Sequence, residues 1–212
     1  MGCDYKMAKK KASKAVKKYK KPIKKVKRKG GEVKTEIKVV NIVISTSLKH
    51  DVPLEKMAAT LPNTEYNPEQ FPGLVLRIKD PKTSALIFSS GNVVCTGARS
   101  MDKVRESIKK IIKSLEKINI KITIKPEIHI QNIVASGSIG MDLNLNVLAM
   151  KLNNTEYEPE QFPGLVYKLR EANATFLLFS NGKIVCTGTK SEDAVHHAVE
   201  KLVVNLKKVK MK

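Results

Sequence analysis

Tryptophan is absent from this chain of 212 residues, and phenylalanine and tyrosine supply only five residues each. With so few aromatics, each phenylalanine needs its own explanation. No run of eighteen consecutive apolar residues exists, which argues against a membrane-spanning helix. Residues 1–30 hold no apolar block of the secretory kind, and Lys6 stands where N-myristoylation after Met1-Gly2 requires Ser or Thr, so an intracellular protein is expected. Cysteine is scarce as well: Cys3, Cys95 and Cys186 form no Cys-x-x-Cys pair and lie near no histidine at metal spacing. They read as free thiols rather than zinc ligands, with Cys95 and Cys186 buried.

Negative charge is the other shortage. Twenty acidic residues face forty basic ones, a net charge of +20. Residues 1–31 carry thirteen lysines and one arginine against the single acid Asp4, and almost nothing that could build a core. That segment is expected to be disordered when free. Removing its +13 still leaves residues 32–212 at +7. A basic tail on a basic body points to a polyanion, nucleic acid first, whose phosphates release counterions on binding; a merely solubilising tail is the alternative.

What the chain does contain is one long statement made twice. Adding 91 to the residue number carries Asn41 to Asn132 and Ser100 to Ser191 without a gap, and half of the positions between are identical. NTEYNPEQFPGLV at 63–75 matches NTEYEPEQFPGLV at 154–166, and VVCTG at 93–97 matches IVCTG at 184–188. Two copies of this length are half-domains rather than solenoid repeats. The expected organisation is a tail over 1–31, a first repeat over 32–125 and a second over 126–212.

Each repeat changes periodicity in the same order. Glu36 to Ser47 alternates as a strand, and Pro53 to Leu61 reads as a short helix with Asp51 as a possible cap. After a loop from Pro62 to Gly73, three runs, Leu74–Lys79, Ala85–Ser89 and Val93–Thr96, predict an antiparallel meander. Ser100 then caps a longer helix with an apolar stripe of Val104, Ile108, Ile111, Ile112 and Leu115, and Ser191 begins its twin. Lys103, Lys109, Lys110, Lys113 and Lys117 line the opposite face of the first helix.

If Ile42, Ile87, Val93 and Cys95 face the helices, alternation sends Asn41, Val43, Leu86, Phe88, Val94 and Thr96 to the other side of the sheet. Asn132, Val134, Leu177, Phe179, Val185 and Thr187 repeat the pattern. That side is largely apolar, where water would normally select polar residues. Either the two repeats bury these faces against each other as a sandwich, or the faces join into one exposed binding surface. Charge and duplication favour the second, and a DNA minor groove suits an apolar floor with few hydrogen bonds.

Across residues 35–210 the chain resembles the TATA-box-binding protein family, through the doubled EYxPEQFPGL block, the strands ending Leu-Ile-Phe and Leu-Leu-Phe, the S-x-G turn and VCTG. FPG in both halves resembles archaeal members in particular, whereas the polylysine tail departs from them. The resemblance implies an α+β fold, a pseudo-twofold saddle whose curved antiparallel sheet carries its helices on the convex face. It further implies a general transcription initiation factor that bends promoter DNA through the minor groove, by about 80° for this family.

On that resemblance Phe71, Phe88, Phe162 and Phe179 are intercalating residues. Asn41, Thr96, Asn132 and Thr187 donate hydrogen bonds to the groove, over a floor of Val43, Leu86, Val94, Val134, Leu177 and Val185. Arg77, Lys168 and Lys183 are candidate phosphate contacts. Glu158, Glu160 and Gln161 match the loop, or stirrup, that docks the B-type general transcription initiation factor, and RNA polymerase follows indirectly. A homodimer off DNA and an archaeal cytoplasmic location at the nucleoid, or a nuclear one in a eukaryote, complete the expectation. Without the resemblance, the phenylalanines also read as ordinary strand and turn residues.

Two other classes stay in view. A saddle-bearing DNA glycosylase needs a base-flipping pocket on a further domain, for which no residues are left over. No phosphate loop, catalytic triad or paired pocket carboxylate stands out, and His50, His129, His196 and His197 are unmatched between repeats. No catalytic residue, metal or cofactor is therefore expected. A basic nucleoid protein coating DNA without sequence preference shares the tail but does not require the repeated Phe, Asn and Thr set.

Overall fold

The computed structural model describes residues 35–210. The Lys-rich segment 1–31, with its expected disorder, lies outside them. Strand β1 (Glu36–Ser47) is followed by helix α1 (Leu54–Thr60), β2 (Thr64–Glu65), β3 (Gly73–Ile78), β4 (Thr83–Phe88), β5 (Asn92–Ala98) and helix α2 (Met101–Glu116). The second repeat supplies β6 (His129–Ser138), α3 (Leu145–Lys151), β7 (Thr155–Glu156), β8 (Leu165–Leu169), a 3-10 turn (Arg170–Ala172), β9 (Ala174–Leu178), β10 (Lys183–Thr189) and α4 (Glu192–Lys210).

All ten strands form one antiparallel sheet in the order β2-β3-β4-β5-β1-β6-β10-β9-β8-β7. The order is palindromic under the repeat. In the central β1–β6 pair, Ile42 lies opposite its own repeat mate Ile133, so the pseudo-twofold axis passes through that pair. The repeats therefore meet edge to edge, and the sandwich alternative is excluded. Register shifts between Ile42 and Ile44 on the β5 side and between Cys186 and Thr189 on the β6 side add local twist to the curved sheet.

The helices cover one face only. Val104, Ile108, Ile111 and Leu115 of α2 are buried with Ile42, Ile87, Val93 and Cys95, and Ile112 packs at the margin. In α4 Val195, Ala198, Val199, Leu202 and Leu206 do the same for the second repeat. The two long helices start where their serines predict: Ser100 Oγ accepts from Lys103 N–H at 3.3 Å, and Ser191 Oγ from Ala194 N–H at 3.1 Å.

Three local expectations change. Asp51 does not cap α1; Pro53 is the N-cap and makes no side-chain bond, because a capping oxygen must sit at that position to reach the first free N–H groups. In the second repeat Asn144 holds the equivalent place and accepts from Val147 N–H at 3.1 Å. The loop Pro62–Gly73 contains a two-residue strand, β2, paired to β3. Each meander strand also begins earlier than its apolar run, since backbone pairing continues through Gly73, Thr83 and Asn92.

Cys95 and Cys186 are buried and unpaired. Burial pushes both thiols up, Cys186 to about 11. Below pH 9 both should stay protonated and resist a thiol reagent while Cys3 labels; rapid labelling of three sites in folded protein would contradict this. Because an unfolded thiol ionises near 9.0 and the folded Cys186 near 11, its stability contribution is full below pH 9 and falls as pH rises toward 11.

Candidate nucleic-acid interface

The face opposite the helices is built from cross-strand rows. Val75, Leu86, Val94 and Ser45 are consecutive partners across the first repeat. Val166, Leu177, Val185 and Ser136 are their mates across the second. Directly opposed residues point to the same face, so each row is continuous. At the centre Asn41 lies opposite Val134 and Val43 opposite Asn132. Every one of these residues is half-buried, a surface with nothing packed over it. Val75 and Val166 were missing from the sequence-derived floor, although alternation with the buried Leu74 and Leu165 carries the signal.

Polar groups on this floor are few and held in place. Asn41 Oδ1 accepts from Gly97 N–H at 2.7 Å, which orients the amide, and its Nδ2 donates to Thr96 Oγ1 at 3.1 Å. Asn132 repeats the arrangement with Gly188 N–H at 2.8 Å and Thr187 Oγ1 at 2.9 Å. Gly97 and Gly188 adopt φ of +98° and +97°, the left-handed side that turns their N–H groups out of the ladder toward the asparagines. The Thr96 and Thr187 hydroxyls donate to the same amide oxygens, at 3.2 and 3.3 Å, so the second Nδ2 hydrogen of each asparagine is the one left to donate outward. Near the axis the surface thus offers donors to a ligand.

The phenylalanines sit as two pairs at the ends. Phe71 and Phe88 have ring centroids 5.9 Å apart, and Phe162 and Phe179 6.0 Å. Phe71 is 43% exposed and Phe162 42%, unusual for rings of this size in a chain so poor in aromatics. The fifth, Phe176, is buried in the core where the first repeat has Ala85. Each pair rests on a glycine: a Cβ at Gly73 would lie 2.7 Å from Phe71 Cε1 and 3.2 Å from Phe88 Cε1, and one at Gly164 2.6 Å from Phe162 Cε1. The turn behind each pair is the same, with Phe71 N–H bonded to Asn67 O and Phe162 N–H to Glu158 O, both at 3.0 Å.

The candidate cations differ between halves. Arg77 makes a two-point pair with Glu65, Nε to Oε1 at 2.9 Å and Nη2 to Oε2 at 3.1 Å, and Lys168 a one-point pair with Glu156 at 2.5 Å. The Arg77 guanidinium holds the Glu65 carboxyl below its usual range, by hydrogen bonding first and charge second. Both pairs are exposed and screened by solvent, so a phosphate can compete for the cations. Lys183 is exposed and in no ion pair among the described residues, while its mate is the neutral Asn92.

In the second stirrup Glu158 Oε2 accepts from Gln161 Nε2 at 2.8 Å, leaving Glu160 exposed beside it. Among the described residues no cluster of His, Cys, Asp and Glu could hold a metal, and no helix is long and apolar enough to cross a membrane.

Comparison with known proteins agrees with this geometry. The family model described as "Transcription factor TFIID (or TATA-binding protein, TBP)" matches twice, over residues 36–118 and 127–209. A TATA-box-binding protein of Thermococcus kodakarensis is 50% identical over 173 residues, covering 82% of this chain and 91% of that relative. One from Archaeoglobus fulgidus is 48% identical over 174 residues, covering 81% and 95%. The solved structure of Methanococcus jannaschii TBP superposes with a TM-score of 0.78 at 48% identity, covering 82% of this chain and 99% of that one. That family comprises DNA-binding transcription factors rather than enzymes, and with both matched segments falling on the two halves of the sheet, the chain belongs to the TATA-binding protein family.

Proposed function

We propose that this protein is a general transcription initiation factor that binds the minor groove of a promoter TATA element and bends it. The observation that carries the reading is the pair of oriented Asn–Thr donor sets on an apolar floor. In the minor groove A·T pairs present only acceptors, adenine N3 and thymine O2, whereas G·C pairs add a protruding amine donor. A donor-only centre flanked by Val43, Leu86, Val94 and their mates accommodates the first and has no acceptor for the second.

Phe71 with Phe88, and Phe162 with Phe179, act as wedges at the two ends. Each pair unstacks one base step, at a cost of a few kcal/mol, and the bend brings more duplex against the floor. The flexible pyrimidine–purine steps of a TATA sequence lower that cost. Arg77, Lys168 and Lys183 grip phosphates along the rims. The test is energy transfer across an end-labelled duplex: a TATA duplex should bend and a scrambled one of the same composition should not. Equal, unbent, salt-sensitive binding to both would instead support the nucleoid-coating alternative that the basic tail suggests.

A near-symmetric protein meets a near-symmetric site in two orientations unless a partner breaks the tie. The stirrup of the second repeat, with Glu158, Glu160 and Gln161, docks the B-type initiation factor and through it RNA polymerase, in an archaeal cytoplasm like that of the named relatives. Exchanging Asn67 and Glu158 should weaken the ternary complex about tenfold and spare binary DNA binding; undiminished recruitment of the factor would refute this. Free of DNA, the apolar face pairs with a second copy of the chain. A sedimentation series should show dimers dissociating on dilution and on adding TATA duplex.

A further inference from the structure

We propose that Gln131 is an off-centre specificity residue whose amide carbonyl accepts from a guanine amine in the minor groove. The site then takes a G·C pair at one position, and such a pair fixes which way round the chain sits on the DNA. The inference rests on the promoter-binding reading and deepens it by one residue of the same surface.

The two central strands pair out of step at two places. Val39 lies opposite Ala135 and Asn41 opposite Val134, which leaves Val40 as an extra residue on β1. Val43 lies opposite Asn132 and Ile44 opposite Ile130, which leaves Gln131 as an extra residue on β6. An extra residue stands out of the ladder and re-aims its side chain. Val40 and Gln131 are 91 positions apart, so the twofold axis exchanges them. Both reach the open face. Val40 is 36% exposed and lines a concavity with Asn41 and Thr96. Gln131 is exposed, and its Nε2 donates to Ser45 Oγ at 2.8 Å. Ser45 belongs to the floor row that runs through Val94 and Leu86.

That bond leaves an acceptor. With Nε2 on Ser45, Gln131 Oε1 has no hydrogen bond among the described residues. The other side-chain amides of these two strands have no oxygen to spare: Asn41 Oδ1 accepts from Gly97 N–H and the Thr96 hydroxyl, and Asn132 Oδ1 from Gly188 N–H and the Thr187 hydroxyl. Over A·T pairs, which present only acceptors, an outward carbonyl gains nothing. A G·C pair of either polarity brings an amine donor into the groove. Gln131 Oε1 meets that donor. Val40 offers it only methyl groups, against which the amine loses its water without gaining a partner. One half of the surface therefore tolerates a guanine and the other rejects it.

The self-complementary element TATATATA between G·C flanks tests this, because the chain can turn round on it. A G·C pair at one of two symmetry-related positions is brought over Gln131 by the choice of orientation. G·C pairs at both positions put one of them over Val40. At one such pair of positions, anisotropy titration should show the single replacement weakening binding by no more than about threefold and the double by about tenfold more, roughly the effect of one mismatched pair.

Val40→Gln should bring the double replacement back to the level of the single. Gln131→Leu should raise the cost of the single replacement to about tenfold. Gln131→Glu keeps an acceptor, so the ratio of single-replacement to A·T affinity should stay that of the unsubstituted chain even where the added charge weakens both. Each comparison is a ratio of two duplexes on one protein, so any loss of folded chain cancels, and the stiffness of the G·C steps is common to all variants. The same penalty for Gln131→Leu and the unsubstituted chain at every single position would overturn the proposal, as would a double replacement that Val40→Gln does not relieve. The bending signal keeps the two readings apart. An A·T element that the unsubstituted chain does not bend overturns both, whereas a bent element whose G·C profile is indifferent to Gln131 overturns only this inference.

Discussion

Replacing Phe71 and Phe88 together by alanine is expected to remove about half of the DNA bend, and replacing all four end phenylalanines to remove nearly all of it. Phe71 and Phe162 already spend over two fifths of their surface in water, so truncation costs the fold little. What is lost is burial against the unstacked bases, roughly 3 kcal/mol for two rings, or about a hundredfold in affinity. With about 80° as the family's bend, the variant lacking the first pair should leave roughly 40° at the second-repeat end.

Gly73→Val supplies the control on geometry. It keeps both rings but places carbon within 2.7 Å of Phe71 Cε1, so it should lower the bend without matching loss of thermal stability. Full bending by the variant without the four rings, read by energy transfer on the TATA duplex, would refute intercalation.

Asn41→Ala combined with Asn132→Ala should weaken TATA binding about a hundredfold, because two base acceptors at the centre of the site are left without donors, at roughly 1–3 kcal/mol each. Part of such a loss is structural, since Gly97 and Gly188 N–H also lose their acceptor; both glycines are exposed, and water replaces it. Aspartate separates the two effects. Asn41→Asp with Asn132→Asp preserves an acceptor for each glycine yet turns a carboxylate toward adenine N3 and thymine O2. If the asparagines act as donors, the aspartate variant binds more weakly than the alanine variant, by fluorescence anisotropy at fixed salt. Equal or tighter binding by the aspartate variant would assign them a purely structural role.

Much of this molecule can be read from particular residues. The stripe Val104, Ile108, Ile111, Leu115 has the 3.6-residue period that only a helix places on one face. Ser100 and Ser191 announce helix starts because a short hydroxyl reaches the N–H three residues on. Alternation in 41–47 and 93–96 sorts Ile42, Val93 and Cys95 from Asn41, Val43 and Val94, since a strand has no other way to distribute its side chains. Asp51 failed as a cap because proximity to an N-terminus does not supply the needed position. The strands β2 and β7 escaped notice because two residues carry no period at all.

Other features depend on which distant segments meet. Nothing in the spacing says that Glu65 takes the Arg77 guanidinium, or that Asn41 finds Gly97 N–H rather than a strand partner. Those contacts join residues far apart in the chain through the register of β2 on β3 and of β1 on β5.

By itself the sequence determined the duplication, the strand and helix periods, the two apolar faces and the one-sided excess of charge, because each is a local or additive property of the chain. Only the tertiary structure decided that the repeats join edge to edge through Ile42 and Ile133, leaving the second apolar face open. It alone set the phenylalanines in pairs over Gly73 and Gly164 and seated the start of β1 against Gly137 and Ser138 of β6. The physical reason is that strand pairing, unlike alternation, is a choice among many partners, and it is made by the packing of the whole sheet.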